Sequence, residues 1–256
     1  MNLNHKTIGN GKINIILLHG WGINSIIWSN IIEILKYHFT IHIIDLPGYG
    51  NNKYQQLNIE QISNIILDTV SKKAIWLGWS MGGLIATKAA IIKPKYILGL
   101  ITVSSSPYLF EKKNWPGIKL SQMQKFMYQL NNQFFDTIYK FLNFQISKIS
   151  YNNTKFNIIK DIHLLKKPSQ KTLYDGLNLM YKNDLRVECK KINVPFLRIY
   201  GYFDNLIPYK IAYLLDKIIP KSKKIIIKNA IHAPFISHKK YFCHLLLNFK
   251  KFILNI

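Results

Sequence analysis

Short apolar runs alternate along this chain with segments whose apolar residues recur at helical spacing. The runs that read as strands lie at 13–18, 40–45, 74–77, 96–103, 194–200 and 224–227. Helical periodicity follows them at 28–35, 58–70, 84–90, 209–218 and 240–252. Strands that alternate with helices, without hairpin signals, are typical of parallel sheets with right-handed crossovers. We therefore predict an α/β fold with a mostly parallel, doubly wound sheet.

The alternation stops between residues 108 and 186. This part contains helical patterns and the string Trp115-Pro116-Gly117, but no convincing strand. A helical insertion between two strands is a common way to cover the carboxyl edge of such a sheet, where ligands bind. We predict a core made of residues 1–107 and 187–256, with residues 108–186 inserted as a helical cap.

Composition favours one sizeable folded domain. The chain has 256 residues, of which 48% are hydrophobic, so it can bury a large core and is not expected to be disordered. Cys189 and Cys243 are far apart and lack metal-ligand spacing, so we expect neither a disulfide nor a metal. No apolar run approaches the roughly 18 residues that span a bilayer, and no signal peptide is recognisable. We expect a cytoplasmic monomer that does not insert into a membrane.

The formal charge of +23 suggests a polyanion, such as a nucleic acid, as a partner, because a basic protein attracts polyanions. The lysines, however, are spread along the chain among abundant Ile, Asn, Tyr and Phe. Because no nucleic-acid-binding motif accompanies them, a solvated basic background is the favoured interpretation. A nucleic-acid binder stays as the alternative, and it would show a steeply salt-dependent affinity.

The strongest candidate for chemistry is the string Gly78-Trp79-Ser80-Met81-Gly82, which reads G-x-S-x-G. It follows an apolar strand and precedes a helix, the context of a nucleophile elbow. Two glycines remove the Cβ atoms that would collide across so tight a turn. We predict that Ser80 is held in a strained conformation with its hydroxyl above the sheet; an ordinary serine turn is the alternative.

A second glycine-rich turn, His19-Gly20-Trp21-Gly22, ends the first predicted strand. Its expected role is to supply the Trp21 N–H to an oxyanion hole. The Met81 N–H, at the start of the helix after Ser80, would be the other donor. The alternative is a plain glycine turn with a packed histidine.

Asp204 and His232 each follow a later predicted strand, so the chain order is Ser80, Asp204, His232. This is the order of an α/β-hydrolase triad, in which the imidazole takes the serine proton and the carboxylate fixes the imidazole tautomer. Singly, Asp204 could be a turn residue and His232 a satisfied loop histidine. The poorer substitutes, by predicted position, are Asp45, Asp184, His163, His238 and His244.

Five strings together give the chain a resemblance to a known family. They are L-L-H-G-W-G at 17–22, D-L-P-G-Y-G at 45–50, A-I-W-L-G-W-S-M-G-G at 74–83, W-P-G-I-K at 115–119 and A-P-F-I-S-H at 233–238. On them the chain resembles the BioH-type pimeloyl-acyl carrier protein methyl ester esterases of biotin synthesis, over nearly its whole length. The glycine and histidine motifs alone would indicate only the α/β-hydrolase superfamily.

The resemblance implies which residues act. The catalytic serine, aspartate and histidine of the family match Ser80, Asp204 and His232. Its substrate contacts fall on the oxyanion residues, the catalytic histidine and one cap string, here Trp21, Met81, His232, Phe141, Leu142, Asn143, Phe144 and Gln145. Methionine stands at 81 in place of a more usual leucine, which leaves the backbone N–H unchanged.

The resemblance also implies hydrolysis of a pimeloyl methyl ester on acyl carrier protein, with no cofactor or metal. Cap lysines would then face the acidic carrier, and Lys140, Lys148, Lys155 and Lys160 are the candidates, with solvated surface charge as the alternative. Two other functions stay open: a broad carboxylesterase for short free esters, and a non-catalytic ligand-binding protein of the same fold.

Overall fold

A computed structural model describes residues 3–146 and 168–255. The strands are β1 (His5–Ile8), β2 (Ile13–Leu18), β3 (Phe39–Ile44), β4 (Ala74–Trp79), β5 (Ile97–Val103), β6 (Phe196–Gly201) and β7 (Lys223–Ile227). The α-helices are α1 (Ser29–Leu35), α2 (Ile59–Val70), α3 (Met81–Ile92), α4 (Leu120–Asn132), α5 (Phe134–Ile146), α6 (Gln170–Lys182), α7 (Ile211–Ile218), α8 (Pro234–Ser237) and α9 (Lys239–Leu254).

The strands form a single sheet in the order β1-β3-β2-β4-β5-β6-β7. Strands β2 to β7 are parallel, while β1 pairs antiparallel with β3 at the edge. After the edge strand β1, the chain enters the sheet at β2, adds β3 on one side and then β4 to β7 on the other, which confirms the predicted doubly wound topology. All carboxyl ends of the parallel strands therefore lie along one edge.

Both faces of the sheet are covered. Every residue of β4 is buried, as expected for a central strand whose sequence is a continuous apolar run. Helices α1, α8 and α9 pack on one face, in a core with Trp28 and Phe242, and helices α2, α3 and α7 pack on the other, with Ile66 and Leu215. The elements that carry the candidate site are thus anchored on two large apolar cores.

The start of α2 agrees with the capping signal in the sequence. Asn58 caps α2 by accepting from the Gln61 N–H at 2.9 Å, and the Gln61 side chain accepts from the Asn58 N–H, as the capping-box pattern predicts. Two elements were not predicted from the sequence, the edge strand β1 and the single-turn helix α8. Strand β1 carries the polar residues His5, Lys6 and Thr7, which are exposed, so it lacks an apolar run.

Between β5 and β6 the described residues contain helices α4, α5 and α6. Short bridges join Phe110 to Ile118 and Lys112 to Trp115, and the second closes a turn at Lys113 and Asn114. Helix α6 packs directly on the core, because a Cβ on Gly48 would lie 2.7 Å from Thr172 Cγ2. The helical character of this part agrees with the prediction; its division from the core as a separate cap stays a prediction.

Two features of the described residues bear on ligands and membranes. Among the described helices, none combines the length and apolar character that crossing a bilayer requires. The described part of the chain also brings together no group of three His, Cys, Asp or Glu side chains that could hold a metal ion.

A buried arginine lies inside the core. Arg198 on β6 is fully buried, and its guanidinium donates to Asp216 Oδ1 at 2.7 Å, to the Ala212 carbonyl at 2.9 Å and to Ser222 Oγ at 3.0 Å. Asp216 also accepts from Lys224. A buried cation needs this paired carboxylate because its desolvation is otherwise uncompensated.

We expect Asp216→Asn to lower the free energy of unfolding by about 2 kcal/mol or more, since it leaves the Arg198 charge buried beside the Lys224 ammonium. Denaturant unfolding followed by circular dichroism measures the change. Asp68→Asn, at an exposed position on α2, is the matched control and should stay within about 0.5 kcal/mol of the wild type. Equal effects of both substitutions would contradict the expectation.

Candidate active site

Ser80 lies in a strained turn between β4 and α3. Its φ is 54° and its ψ is −117°, in the positive region that side chains other than glycine rarely adopt. A Cβ on Gly82 would lie 2.5 Å from the carbonyl oxygens of Leu18 and His19, and one on Gly78 would collide with the Gly82 carbonyl. The two glycines of G-x-S-x-G thus do what the sequence predicts: they let the chain turn sharply.

Hydrogen bonds hold this turn on both sides. The Ser80 N–H donates to the Val103 carbonyl on β5 at 3.0 Å, and the Ser105 hydroxyl donates to the Ser80 carbonyl at 2.7 Å. A Cβ on Gly83 would lie 2.5 Å from Ser105 Oγ. Strand β5 and the loop at 104–106 that follows it therefore hold the strained backbone of Ser80 in place.

Asp204 lies in the loop after β6 and divides its two oxygens between two tasks. Oδ1 accepts from the backbone N–H groups of Leu206 and Ile207 at 2.9 and 3.0 Å. Oδ2 accepts from His232 Nδ1 at 2.8 Å. The turn role and the triad role that the sequence left as alternatives are therefore compatible in one carboxylate. Since Nδ1 donates to Asp204, Nε2 is the ring nitrogen free to accept a proton.

The loop that carries His232 is joined to the serine turn through Trp79. The Trp79 indole Nε1 donates to the His232 carbonyl at 2.8 Å, and the two rings are centred 5.3 Å apart. No hydrogen bond joins the Ser80 hydroxyl to His232 in the described part of the chain. Such bonds are often long without substrate and tighten when it binds. The structure thus brings Asp204 and His232 together and ties them to the residue preceding Ser80.

His19 links the loops after β2 and β3. Its Nδ1 donates to the Gly20 carbonyl at 2.8 Å, and its Nε2 accepts from the Leu46 N–H at 3.0 Å. Tyr49 packs edge-on against this ring at 4.8 Å, and its hydroxyl accepts from the Gly22 N–H at 3.5 Å. The histidine of H-G-x-G is therefore a packed residue that shapes the loop carrying Trp21.

Burial lowers the pKa of His19 below its usual 6.5, against the raising effect of Asp45. Because the folded pKa lies below the unfolded one, this contribution to stability is complete above pH 6.5 and is lost as the pH falls. Burial also lowers the pKa of His42, to about 4. Both histidines therefore make the fold less stable in acid than at neutral pH.

We expect His19→Gln to make the unfolding free energy less dependent on pH between 6.5 and 5, by up to about 1.4 kcal/mol per pH unit. The difference from the wild type isolates His19, since His42 contributes to both proteins. Denaturant titrations at several pH values give the slope. An unchanged slope would show that His19 takes up no proton on unfolding.

Trp21 and Met81, the predicted oxyanion residues, meet at one point of helix α6. A Cβ on Gly176 would lie 2.7 Å from Trp21 Cδ1 and 3.4 Å from Met81 Sδ. The Trp21 indole donates to the Leu173 carbonyl of α6 at 2.8 Å. Neither backbone N–H donates to another described residue, and Met81 begins α3, where helical N–H groups lack internal acceptors. Both amides therefore lack an acceptor among the described residues, as the predicted oxyanion role requires.

The Trp21 ring also contacts the other two helices of the inserted region. It packs edge-on against Phe126 of α4 at 5.4 Å and against Phe141 of α5 at 5.2 Å. The side chain of Trp21, a predicted oxyanion residue, thus contacts α4, α5 and α6 together. A shift of any of these helices would therefore move the Trp21 side chain and the loop that carries it.

If the chain has the ester-hydrolysing activity that the resemblance implies, we expect Gly176→Ala to reduce its kcat by about tenfold, a loss of about 1.4 kcal/mol in transition-state stabilisation. The added methyl group displaces the Trp21 ring and with it the loop, even though alanine favours a helix by about 1 kcal/mol over glycine. Steady-state kinetics on a small ester measures the effect. Asn178→Ala, in the same helix, is the control, and equal kcat values for both variants would contradict the coupling.

A cavity of about 470 Å³ opens beside Ser80. Its lining is mostly apolar and comes from the loops that carry Trp21 and Asp204, from residues near Phe110, and from α4, α5 and α6. The lining comprises Trp21, Ser80, Leu109, Phe110, Ile118, Gln122, Met123, Phe126, Phe141, Leu177, Met180, Asn205, Leu206 and Ile207. Gln122 and Asn205 are exposed and give it a polar rim. Such a cavity suits a hydrocarbon chain whose reacting end reaches the Ser80 hydroxyl.

The poorer triad candidates that lie in the described part of the chain have other hydrogen-bond or ion-pair partners. Asp45 accepts from the Ser25 N–H, Asp184 pairs with Arg186, His238 contacts Ser237 and His244 contacts Asn248. Of the predicted cap contacts, Phe141 lines the cavity. The predictions for His163, for Lys148, Lys155 and Lys160, and for the side chains of Leu142, Asn143, Phe144 and Gln145 concern atoms outside the described part.

Three supporting residues were missed by sequence reasoning. Ser105 holds the Ser80 carbonyl, Tyr49 packs on His19, and Trp79 anchors the His232 loop. The serine string after β5 and the tyrosine of the D-L-P-G-Y-G string were visible signals, but their contacts cross between strands. Sequence spacing alone does not reveal such contacts.

Comparison with known families and curated proteins finds relatives over nearly the whole chain. A family model described as alpha/beta hydrolase fold matches residues 13–239. A relative from Wigglesworthia glossinidia brevipalpis, named pimeloyl-[acyl-carrier protein] methyl ester esterase, is 45% identical over 252 residues, which cover 96% of this chain and 97% of the relative. A protein of the same name from Yersinia pseudotuberculosis serotype IB is 40% identical over 245 residues, 95% of each chain.

Solved structures share the fold at lower identity. An esterase from Exiguobacterium antarcticum superposes with a TM-score of 0.87 at 19% identity, covering 97% of this chain and 95% of the esterase. A bromoperoxidase from Bacillus anthracis superposes with a TM-score of 0.84 at 22% identity, covering 96% and 94%. At this identity the likeness concerns the fold alone.

Proposed function

Because this chain belongs to the pimeloyl-[acyl-carrier protein] methyl ester esterase family of the alpha/beta hydrolase fold, we propose that it hydrolyses the methyl ester of a pimeloyl chain carried by acyl carrier protein. The products are methanol and the free carboxylate on the same carrier. The observation that carries the proposal is the strained Ser80 in the lining of an apolar cavity, joined through its neighbour Trp79 to the hydrogen-bonded pair of His232 and Asp204.

In the first half of the reaction, Ser80 Oγ attacks the ester carbonyl carbon and passes its proton to His232 Nε2. The carbonyl oxygen becomes an oxyanion and accepts from the Trp21 and Met81 N–H groups. When the tetrahedral intermediate collapses, the bond to the methoxy oxygen breaks. His232 gives its proton to that oxygen, and methanol leaves.

In the second half, a water molecule gives a proton to His232 Nε2 and attacks the ester carbon of the Ser80 acyl group. The same two amides bind the second oxyanion. The bond to Ser80 Oγ breaks, Oγ recovers the proton from Nε2, and the carboxylic acid ionises at neutral pH. Asp204 stays ionised throughout and stabilises the imidazolium by its Oδ2.

The cavity explains why a methylene chain would be bound with its ester end inwards. Its wall is apolar near Phe126, Met123 and Leu177, so each buried methylene contributes about 0.8 kcal/mol. A cavity of about 470 Å³ holds the acyl chain but not a carrier protein, so the carrier stays outside. Gln122 and Asn205, which line the cavity and are exposed, are proposed to meet the polar arm that joins the two.

The inserted region 108–186 acts in this proposal as a cap over the acyl chain. On its described surface Lys140 is exposed and contacts the exposed Asp136 at 3.6 Å, an ion pair that water screens strongly. Lys140 therefore remains available to an acidic carrier surface. The enzyme is proposed to act as a monomer in the cytoplasm, without metal, cofactor or nucleic acid.

The test is a comparison of two substrates. Methanol release from pimeloyl methyl ester on acyl carrier protein is measured beside release from the methyl esters of short free acids. We expect kcat/KM to be at least about tenfold higher for the carried ester, equivalent to about 1.4 kcal/mol of added binding. Higher rates on free esters would favour a broad carboxylesterase.

A fluorophosphonate probe tests the chemistry independently of the substrate. It reacts with an activated serine hydroxyl, so Ser80 should carry the label after digestion and mass spectrometry. An unlabelled Ser80 in the folded protein would favour a non-catalytic binding protein.

A further inference from the structure

A second cavity, of about 570 Å³, lies away from Ser80. Its wall consists of residues 190–196, residues 218–223 and Phe252 of helix α9. We name it the basic groove. The first segment leads into β6 and the second leads from α7 into β7, so the groove lies at the amino ends of these two parallel strands. The candidate active site lies at their carboxyl ends, on the opposite edge of the sheet.

Charge is concentrated in this groove. Four of its fourteen lining residues are lysines, Lys190, Lys191, Lys221 and Lys223, about twice the proportion of basic residues in the whole chain. All four are exposed. The lining includes no carboxylate, and none of the four ammonium groups forms an ion pair with a described residue. Neighbouring like charges repel one another, and a bound anion would relieve that repulsion.

The floor between the lysines is apolar. Ile192, Phe196 and Ile219 are buried there, and the Phe252 ring is 38% exposed. The Lys223 ammonium lies 3.9 Å from the centre of that ring. A hydrated inorganic ion would leave this apolar surface unused, whereas a hydrocarbon or ring attached to the anion would cover it.

We propose that the basic groove binds an amphipathic organic phosphate, with the phosphate among the four lysines and its apolar part against Ile192 and Phe252. A phosphate carries more negative charge than a carboxylate and offers several acceptor oxygens, so it matches four ammonium groups better. The volume of about 570 Å³ is that of a small-molecule site. The site is independent of the proposed esterase function, because no lining residue is shared with the Ser80 cavity.

The test uses octyl phosphate, inorganic phosphate and octanol as probes of the full chain. We expect octyl phosphate to bind at least tenfold more tightly than inorganic phosphate by calorimetry, and octanol to bind weakly. In isotope-labelled protein the amide signals that move should be those of residues 190–196 and 218–223. Equal affinities for the two phosphates would remove the role of the apolar floor and overturn the proposal.

The triple variant K190Q/K221Q/K223Q should weaken octyl phosphate binding at least tenfold. The matched control K12Q/K72Q/K73Q removes the same charge from exposed positions outside the groove, and its affinity should change less than threefold. Equal losses in the two variants would mean that only the overall charge attracts the probe, which would overturn the site.

A kinetic measurement separates the two cavities. Octyl phosphate that saturates the groove should leave the rate of hydrolysis of a short ester unchanged. The groove lies at the amino ends of the strands, whereas Ser80 lies at their carboxyl ends. Competitive inhibition with the same affinity as the calorimetric one would place the probe in the Ser80 cavity and contradict the proposal.

Discussion

Replacing Ser80 by alanine is expected to lower kcat for ester hydrolysis by about 10⁴-fold or more, because no acyl intermediate can form without the hydroxyl. The loss should concern chemistry alone. Alanine fits the same turn, and the contacts that hold it use the Ser80 backbone: the N–H donates to Val103 and the carbonyl accepts from Ser105. The measurement is methanol release, together with the melting temperature, which should stay within a few degrees of the wild type.

The structure offers a matched control for this substitution. Ser71, the C-cap of α2, is a second serine with positive φ, 43°, and it is exposed far from the cavity. Ser71→Ala should keep the wild-type kcat. If Ser80→Ala retained more than about one per cent of the activity, another nucleophile would have to act.

Replacing Asp204 by asparagine should lower kcat by about 10³- to 10⁴-fold while the fold persists. The amide oxygen of Asn would keep the position of Oδ1, which accepts from the Leu206 and Ile207 N–H groups at 2.9 and 3.0 Å. Its NH₂ group then faces His232 Nδ1, which must become the acceptor. The ring proton moves to Nε2, and the imidazole can no longer take the Ser80 proton.

This prediction separates a catalytic carboxylate from a turn residue. Steady-state kinetics gives kcat, and unfolding curves test whether the loop is retained. Asp68→Asn, on the exposed side of α2, should leave both quantities unchanged. A drop in kcat of less than tenfold for Asp204→Asn would mean that the tautomer of His232 does not depend on Asp204.

Local patterns were sufficient for the centre of the fold. Strand β4 is a continuous apolar run because both of its faces are buried, and the capping box at Asn58 determines where α2 begins. The two glycines around Ser80 announced a turn that few other residues could form. These signals lie within a few residues of one another, so they can be read from the sequence.

Other features depend on contacts between distant parts of the chain. Trp21 donates to Leu173, 152 residues away, and Trp79 donates to His232, 153 residues away. The sequence also does not indicate that the two oxygens of Asp204 serve two tasks, since this depends on the path of the loop to Ile207. Strand β1 was not predicted because it lies exposed at the edge of the sheet and therefore needs no apolar run.

The Trp21 side chain carries a consequence for how this protein could diversify. Its side chain contacts Leu173, Phe126 and Phe141, while its main-chain N–H is the proposed donor to the oxyanion. Substitutions that spread these helices to admit bulkier acyl groups would also loosen the amide beside Ser80. A broader substrate range should therefore come with a lower kcat in this fold. Variants selected for new acyl groups should at first be slow enzymes.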